Sequence, residues 1–393
     1  MPLIYLIAGE QSGDEIGARL MRALLRQRPD LTFAGIGSTA MTAQGLTSLF
    51  PMGDLAVMGL LEVLPRLRLL RGRLRQTAAD IAARRPDAVV TIDSPGFTLR
   101  VLRAIAPLGI PRVHFVAPQV WAWRENRVRH YPGLWERLLC LLPFEPAWFA
   151  QRGVMARFIG HPLFSHSLDE EALGWEAVSY GGGRPKLALL PGSRTGEIAA
   201  NWPLLLNVCD SMQARYERLE AVVAASDEAC AARIRAITPT LPRHIKLVVG
   251  QTDAVLHWCD LALPVSGTVT LHVARHRKPM AIVYRVNAAT WHGVGRWVID
   301  TRTFTLPNLI ACNGPERTAD HHVVKEFVPW LARVDAVNPI VAELSSLIED
   351  PQKRSSQLAA LSKIVAAFDG HDAGKEAAAA IGEMFEKATA HTS

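Results

Sequence analysis

The amino-acid sequence predicts an α/β protein made of two doubly wound domains in tandem. Short, continuous apolar runs alternate with helix-length segments along most of the chain. This alternation is typical of parallel sheets that are covered by helices on both faces. It breaks after Gly160 in a polar segment that ends in three glycines, and it resumes at Lys186. With 393 residues, of which 49% are apolar and 20% charged, the chain can bury two sizeable cores.

The first domain is expected over residues 1–165, where each predicted strand is a short apolar run. These strands are Leu3–Ala8, Thr32–Gly35, Ala88–Ile92, Arg112–Val116, Leu138–Leu142 and Arg157–Ile159. The second domain is expected over residues 185–340, after the glycine-rich linker. Its strands are Lys186–Leu190, Ala221–Ala225, Lys246–Val249, Leu261–Pro264 and Pro279–Tyr284. Ligands bind at the carboxyl ends of strands in such sheets, so two facing domains would place both sets of ends on one cleft.

Charge, cysteine usage and hydropathy limit the classes of function. The net charge of +6 and the pI of about 9.2 are compatible with a phosphate substrate, a nucleic acid or an anionic membrane surface. Five widely spaced cysteines without a Cys-x-x-Cys pair favour reduced thiols in a cytosol-like compartment over disulfides or a zinc site. The histidines show no tight metal-ligand spacing, so no metal is expected. The N-terminus does not resemble a signal peptide, and no apolar run is long enough to cross a bilayer.

A glycine-containing turn follows the first strand in the segment LIYLIAGEQSGDEIGARL, residues 3–20. It fits neither common phosphate-binding motif, and the acids Glu10 and Asp14 would repel a phosphate. One interpretation is a loop that holds a ligand other than a phosphate. The alternative is a plain β–α turn whose acids serve the dipole of the following helix.

Two loops of the second half are candidates for binding a diphosphate. In LLPGSRTGEI, Gly192 would let a ligand approach the backbone, and Arg194 supplies a permanent cation for phosphate oxygens. In LPVSGTVTL, Ser266-Gly267-Thr268 opens a helix whose free backbone N–H groups suit an anion. The alternative for each loop is an ordinary turn or helix cap, but two such loops at strand ends favour a diphosphate site.

Two further segments carry candidate chemistry at strand ends. Asp93 follows a buried strand in VVTIDSPGF and can act as a base in a cleft, and the alternative is a cap for the next helix. In VAPQVWAWRENR, the residues Trp121, Trp123 and Arg124 follow another strand. Aromatic rings beside an arginine suit sugar stacking or contact with lipid and phosphate, and the alternative is packing in the core.

A basic amphipathic helix is predicted in LPRLRLLRGRLRQ, residues 64–76, where Leu67, Leu70 and Leu74 form a narrow stripe. The arginines that flank this stripe are Arg66, Arg68, Arg71, Arg73 and Arg75. Such a helix can lie on an anionic bilayer surface, where each Arg contributes about 1 kcal/mol. The alternative is a solvated helix that packs through its leucines. No nucleic-acid-binding fold signature accompanies the arginines, so no nucleic-acid partner is expected.

The collected motifs resemble, in their order, those of the lipid-A-disaccharide synthase family. The matching segments, within residues 3 to about 330, are AGEQSGDEIGA, VMGLLEVLPRL, IDSPGF, VAPQVWAWR, LLPFE, IGHPL, LLPGSR, SGTVTL and LPNLIA. The resemblance implies two Rossmann-like domains of the GT-B type facing a cleft, with the C-terminal helices of about 350–393 packing back on the first domain. It also implies transfer of 2,3-diacylglucosamine from UDP to 2,3-diacylglucosamine 1-phosphate, which gives lipid A disaccharide 1-phosphate and UDP. No metal or organic cofactor is implied.

The resemblance assigns roles to the residues that match the family motifs. Asp93, as the base, and Glu10 are the expected catalytic residues. The residues expected to contact UDP are Gly192, Ser193, Arg194, Glu197, Ser266, Gly267, Thr268 and His272. The residues expected to line the sugar and acceptor cleft are Ser12, Asp14, Trp121, Arg124 and Asn308. The residues expected to face the membrane are Leu67, Arg68, Leu70, Arg71, Leu74 and Arg75.

Two positions depart from the family motifs. Gly96 stands where the family has a second Asp, and His272 stands where it has a Glu that binds the nucleotide ribose in related transferases. A neutral His can still hydrogen-bond a hydroxyl group, but it is not a bidentate acceptor. Two alternatives therefore stay open: a GT-B transferase or epimerase acting on another UDP-sugar, and a catalytically weakened relative that binds nucleotide or lipid.

The resemblance also implies a location and partners. It places the protein in the cytoplasm of a Gram-negative bacterium, peripheral on the inner face of the inner membrane, where both acylated substrates would be drawn from the bilayer surface. An oligomer is compatible with the sequence.

Overall fold

The computed structural model describes residues 1–55, 60–122, 125–285, 303–315, 321–327 and 337–390, with the backbone alone for 60–65 and 385–390. The chain forms two compact units. The first comprises residues 1–120, 125–165 and 370–393, and the second comprises 121–124 and 166–369. Each unit is built around its own parallel sheet.

A seven-stranded parallel sheet forms the centre of the first unit. Its strands are β1 (Leu3–Ala8), β2 (Thr32–Ile36), β3 (Thr47–Ser48), β4 (Ala88–Ile92), β5 (Arg112–Phe115), β6 (Arg137–Cys140) and β7 (Ala156–Phe158). Their spatial order is β3-β2-β1-β4-β5-β6-β7. The central strands β1 and β4 pair so that Ala8 lies opposite Ile92, and the loops that follow them begin side by side.

Helices connect these strands, and one of them supplies much of the core. They are α1 (Gln11–Gln27), α2 (Thr39–Thr42), α3 (Leu60–Arg84), α4 (Pro95–Ile105) and α5 (Glu145–Ala150). The apolar face of α1 recurs at helical spacing, so Leu20 and Leu24 are buried together against Leu6 and Val90 of the sheet. Burial of each such aliphatic side chain stabilises the unit by about 1.5–3 kcal/mol.

A four-stranded parallel sheet forms the centre of the second unit. Its strands are β8 (Lys186–Leu190), β9 (Glu220–Ala225), β10 (Ile245–Val249) and β11 (Leu261–Pro264), in the order β10-β9-β8-β11. A short parallel pair, β12 (Ile282–Val283) and β13 (Glu326–Phe327), continues beyond β11 through single bridges at Met280 and Val283. The helices of this unit are α6 (Glu170–Ala177), α7 (Thr195–Arg215), α8 (Glu228–Ile237), α9 (Thr252–Trp258), α10 (Val269–Arg275), α11 (Leu306–Ala311), α12 (Val337–Glu349) and α13 (Pro351–Ala366).

The C-terminal helices divide between the two units. Helix α13 belongs to the second unit, where Gln357 exchanges hydrogen bonds with the backbone N–H and C=O of Met280. Helix α14 (Ala373–Ala390) belongs to the first unit, and its alanine-rich face, including Ala377 and Ala378, is buried in the core of that unit beside α1. The expectation that all helices from about residue 350 pack on the first unit therefore needs correction, because the change of unit occurs near Gly370.

The predicted fold class is confirmed. Both sheets are parallel, and each predicted strand is present, with ends shifted by one or two residues in most cases. The last predicted strand, 279–284, is reduced to β12 and its bridges. Within the described ranges, no helix is long and apolar enough to cross a membrane.

Candidate functional site

The loops after β1 and β4 touch at the carboxyl edge of the first sheet. A Cβ atom placed on Gly9 would lie 2.4 Å from Ser94 Oγ, so this position must be glycine. The predicted catalytic residues, Glu10 and Asp93, adjoin this contact in the sequence. Glu10 is half-buried and stands before α1 without capping it through its side chain, and Ser12 is exposed. The predicted pair therefore lies on neighbouring loops of one sheet edge.

The backbone at this edge is strained. Asp93 and Ser94 have φ angles of 50° and 45°, and Val116, at the end of the neighbouring β5, has a φ of 70°. This left-handed region costs a non-glycine residue about 1–2 kcal/mol, most of all a β-branched one. Hydrogen bonds hold it, because the Thr98 hydroxyl donates to the carbonyls of Asp93 (2.8 Å) and Ser94 (3.0 Å). Such strain clusters at functional sites and is consistent with a site at this edge.

Asp93 is half-buried at the end of β4, and the next residue, Ser94, occupies the N-cap position of α4. Gly96, which departs from the family motif, lies in the first turn of α4, and no atom of the described residues lies within 4 Å of an added Cβ. This position thus has room for a side chain.

Asp14 does not face a ligand, which corrects the prediction that it lines a sugar cleft. Its carboxylate is fully buried and accepts hydrogen bonds from the backbone N–H groups of Ser38 (2.6 Å), Ala40 (2.8 Å) and Met41 (3.3 Å). Ser38 does not cap α2 with its own hydroxyl. Asp14 therefore replaces that cap from α1 and fixes the loop after β2.

In the second unit, the loop after β8 presents a guanidinium group. Arg194 is 54% exposed and stands before α7, and its Nη1 atom donates to Glu197 Oε1 at 3.1 Å. Gly192 has a φ of 108°, and a Cβ atom added there would lie 2.9 Å from Glu197 Oε2. Glu197 therefore orients Arg194 across the turn that Gly192 permits. The carbonyl of Ser193 accepts from Cys230 Sγ at 3.3 Å.

The loop after β11 follows the neighbouring strand, which pairs Pro264 with Leu190 of β8. Gly267 and Thr268 are exposed, whereas the Ser266 hydroxyl donates to the carbonyl of Phe304 at 2.9 Å. The two predicted diphosphate loops therefore start side by side at one sheet edge, with exposed small residues on one and an exposed cation on the other.

His272 lies one turn into α10 and pairs with an acid from another helix. Its Nδ1 atom lies 3.3 Å from Asp253 Oδ1, and His276 Nε2 lies 3.0 Å from the same oxygen. Hydrogen bonds from His272 and His276 hold the pKa of Asp253 well below its usual range, although partial burial opposes this shift.

The prediction that Asn308 lines a sugar cleft is also wrong. It is fully buried, its Nδ2 atom donates to the Val324 carbonyl and to Glu326 Oε1, and its Oδ1 atom accepts from the N–H groups of Val323 and Val324. Burial raises the pKa of Glu326 to about 7, against the lowering effect of its bonds from Asn308 and the Phe304 N–H group. The Glu326 side chain is only 5% exposed, so burial outweighs these hydrogen bonds, and His322 Nδ1 lies 3.1 Å from the carboxylate.

The aromatic segment after β5 is only partly described. Trp121 is 3% exposed, so packing accounts for it and the predicted sugar contact is wrong for this residue. Trp123 and Arg124 lie outside the described residues.

The predicted membrane-facing helix is α3. Arg68, Arg71 and Arg75 are exposed, and Leu69 is 40% exposed beside them. The stripe of Leu67, Leu70 and Leu74 is half-buried. Arg73 is engaged within the unit, since its guanidinium lies 2.6 Å from Asp54 Oδ2 and over the Phe50 ring at 4.5 Å.

Sequence reasoning missed Asp253 and Glu326. Asp253 reads as an ordinary acid in the first turn of a helix, and its partner His272 lies 19 residues away on a different helix. Glu326 belongs to no glycine loop. The described part of the chain holds no group of three or more His, Cys, Asp or Glu side chains that could bind a metal ion.

The fold is shared with solved nucleotide-sugar enzymes. The glycotransferase of kitacinnamycin matches with a TM-score of 0.61 at 17% identity, over 98% of this chain and 99% of that one. The rhamnosyltransferase SpnG complexed with thymidine diphosphate matches with a TM-score of 0.60 at 15% identity, over 97% and 100%. The UDP-GlcNAc 2-epimerase from Neisseria meningitidis matches with a TM-score of 0.58 at 11% identity, over 98% and 100%. The fold is therefore that of the GT-B glycosyltransferases.

The chain belongs to the lipid-A-disaccharide synthetase family, whose model matches residues 4–372. The lipid-A-disaccharide synthase of Gluconobacter oxydans is 44% identical, over 92% of this chain and 85% of that protein. That of Granulibacter bethesdensis is 42% identical, over 93% of each. The resemblance seen in the motifs is confirmed, and the chain is an enzyme of the glycosyltransferase class.

Proposed function

We propose that the protein transfers 2,3-diacylglucosamine from UDP to 2,3-diacylglucosamine 1-phosphate and releases lipid A disaccharide 1-phosphate and UDP. The observation that carries the proposal is the family match over residues 4–372, in which the motif loops follow neighbouring strands in each unit. The scheme assigns no step to a metal or an organic cofactor.

Inverting transfer needs a base for the acceptor hydroxyl and positive charge for the leaving diphosphate. In the proposed mechanism the Asp93 carboxylate takes the proton from the acceptor hydroxyl as its oxygen attacks the anomeric carbon. The bond from that carbon to the diphosphate breaks, and UDP leaves with the electron pair. Glu10, on the adjoining loop, accepts a hydrogen bond from the sugar and orients it.

The developing charge on UDP is stabilised by Arg194 and by the exposed backbone of Gly267 and Thr268. Arg194 suits this role because its guanidinium is permanently charged and is already oriented by Glu197. Ser193, next to Arg194, contributes its backbone to the same loop, and Ser266 fixes the other loop through Phe304.

The test is a UDP-release assay with both acylated sugars. UDP should appear only when donor and acceptor are both present, and Asp93→Asn should lower kcat by about 10²–10⁴-fold. The matched control is Asp30→Asn, since Asp30 is an exposed acid paired with Arg28. Wild-type turnover by the Asp93→Asn variant would show that Asp93 is not the base.

A second pair of variants tests the cation. Arg194→Gln should lower kcat by about 10²-fold, the scale for loss of one preorganised charge donor. Arg235→Gln is its control, because Arg235 is similarly exposed and pairs with an acid of its own helix, Glu228. Equal losses in both variants would contradict a specific role for Arg194.

We also propose that α3 lies on the inner face of the inner membrane and that the protein is a peripheral protein of the cytoplasm. The exposed Arg68, Arg71 and Arg75 support this, since each Arg near an anionic surface contributes about 1 kcal/mol. Replacing all three by Gln should weaken partition onto anionic vesicles about 100-fold. The control triple variant, which removes the same charge, replaces the exposed Arg100, Arg103 and Arg129. Equal losses would indicate net charge alone.

The same fold in a UDP-GlcNAc 2-epimerase favours one alternative, a reaction on another UDP-sugar. Turnover of UDP-N-acetylglucosamine without any turnover of the acylated substrates would select it. Tight UDP binding without transfer would instead select a weakened relative, for which Gly96 and His272 are the motivating departures.

A further inference from the structure

We propose that Asp253 is a positioning residue, which holds the His272 imidazole so that its Nε2 atom accepts a hydrogen bond from a ribose hydroxyl of the bound nucleoside diphosphate. The proposal rests on the proposed function, because it takes UDP as the ligand of the loops after β8 and β11. It adds a residue that lies in none of those loops.

The positions of the two side chains support this role. His272 lies four residues beyond Thr268, about one helical turn from the loop proposed to hold the diphosphate. Asp253 lies in the first turn of α9, which follows β10 and begins at the same edge of the sheet. A sugar attached to the diphosphate would therefore be within reach of this helix pair, where ligands of such sheets bind.

The hydrogen bonds determine which ring nitrogen is free. Two ring nitrogens face Asp253 Oδ1, Nδ1 of His272 and Nε2 of His276. An ionised carboxylate only accepts hydrogen bonds, so both of these nitrogens must carry a hydrogen. A neutral His272 then has its single proton on Nδ1 and presents Nε2 as an acceptor. Among the residues that the structure describes, none forms a hydrogen bond with His272 Nε2, and the ring is 29% exposed.

The second histidine, His276, supports the Asp253 carboxylate and is itself buried. His276 is 3% exposed and is bonded to the same oxygen at 3.0 Å, so it anchors the carboxylate from the protein side. Two other basic side chains lie on these helices. Arg275 donates its hydrogen bond to the His166 carbonyl and acts on Asp253 through its charge, and His257, one turn further along α9, lies 2.7 Å from Glu170. Among the described residues, the side-chain hydrogen bonds to Asp253 therefore come from the two histidines.

This arrangement makes an unusual prediction for position 272. A Glu side chain placed there would approach Asp253 closely, and two adjacent carboxylates repel. His272→Glu should therefore weaken UDP binding, whereas His272→Glu combined with Asp253→Ala should recover it, because the acceptor is then supplied directly and no carboxylate lies beside it.

The experiment is calorimetric titration with UDP and with 2′,3′-dideoxy-UDP, alongside steady-state kinetics. Wild type should bind UDP about 10-fold more tightly than the dideoxy analogue, the scale of one hydrogen bond. Asp253→Ala, which removes the acceptor of His272 Nδ1–H, should lose most of this preference and raise the donor KM by a similar factor, with kcat at saturating donor nearly unchanged. His257→Gln, on the same helix, is the control and should keep the preference. The double variant should bind UDP more tightly than His272→Glu.

The outcomes separate this inference from the proposed function. Wild type that does not bind UDP overturns both. Wild type that binds UDP, with Asp253→Ala retaining the full preference over the dideoxy analogue, overturns only the role of Asp253. A double variant that binds more weakly than both single variants also overturns it, because a merely structural acid would give additive losses.

Discussion

Replacing Asp14 by Ala should destabilise the first unit without removing a ligand contact. The carboxylate accepts three backbone N–H groups, at 2.6, 2.8 and 3.3 Å, and is fully buried. A hydrogen bond to a charged group contributes about 1.5–3 kcal/mol. The third bond is long, and Ser38 and Ala40 are partly exposed, so water can recover some of the loss. We therefore expect a net cost of about 3–5 kcal/mol.

Differential scanning calorimetry measures this cost. For a domain of this size, 1 kcal/mol lowers the Tm by about 2–4 °C, so Asp14→Ala should lower the melting of the first unit by roughly 6–20 °C. Glu15→Ala, the exposed neighbour, should leave the Tm nearly unchanged. Glu10→Ala should also leave the Tm nearly unchanged, because the half-buried Glu10 side chain does not cap α1. It should lower turnover by about 10²-fold, because Glu10 is proposed to act on the substrate.

One result would refute this reasoning. If Asp14→Ala melted like wild type and lost turnover, Asp14 would be a ligand contact, as its motif suggested, and the buried hydrogen bonds would not be its main role. Normal kcat and KM in the surviving folded fraction of Asp14→Ala, measured well below its Tm, is the outcome that the structure requires.

The remaining predictions concern Glu326 and two glycines. Burial raises the pKa of Glu326 to about 7, so the folded state binds the proton more tightly than the unfolded state, and stability should fall by roughly 3 kcal/mol as pH rises from about 4.5 to above 7. Glu326→Gln should flatten that part of the denaturation profile, and an unchanged slope would contradict the assignment. Gly192→Ala should cost about 1–3 kcal/mol and raise the donor KM, because φ is 108° and the new Cβ meets Glu197, whereas Gly196→Ala, in open space, should do neither. Gly96→Asp should leave the Tm unchanged, since no atom of the described residues lies within 4 Å of an added Cβ, and a clear fall of the Tm would contradict this expectation.

The strands could be predicted because a parallel strand buried on both faces must be apolar along its whole length. β4 and β8 show this directly, as nearly every residue in them is buried. The split of the C-terminal helices could not be predicted, since α13 and α14 are both alanine-containing helices and only tertiary contacts, such as Gln357 with Met280, separate them.

The role of a polar residue could be predicted only where the motif also determines whether its side chain is exposed. Asp14 and Glu10 lie in the same loop motif, yet the partners of Asp14 are 24 to 27 residues away and decide its burial. Asn308 likewise takes its partners from residues 323–326, 15 to 18 residues along the chain. A motif gives the position of a side chain along the chain, but the direction it points depends on partners that the motif does not contain.

The acids at the two sheet edges differ in their surroundings. At the edge of the first unit, Glu10 and Asp93 are half-buried and lie next to a strained backbone, which is compatible with the proposed proton transfer and hydroxyl binding. At the edge of the second unit, Glu197 and Asp253 would repel a diphosphate if each stood alone. Each instead accepts a hydrogen bond from a nitrogen of another side chain, Arg194 or His272, and in the proposed site that side chain contacts the ligand through a remaining nitrogen. An acid near the proposed phosphate site is therefore compatible with anion binding when its carboxylate is held by the group that it orients.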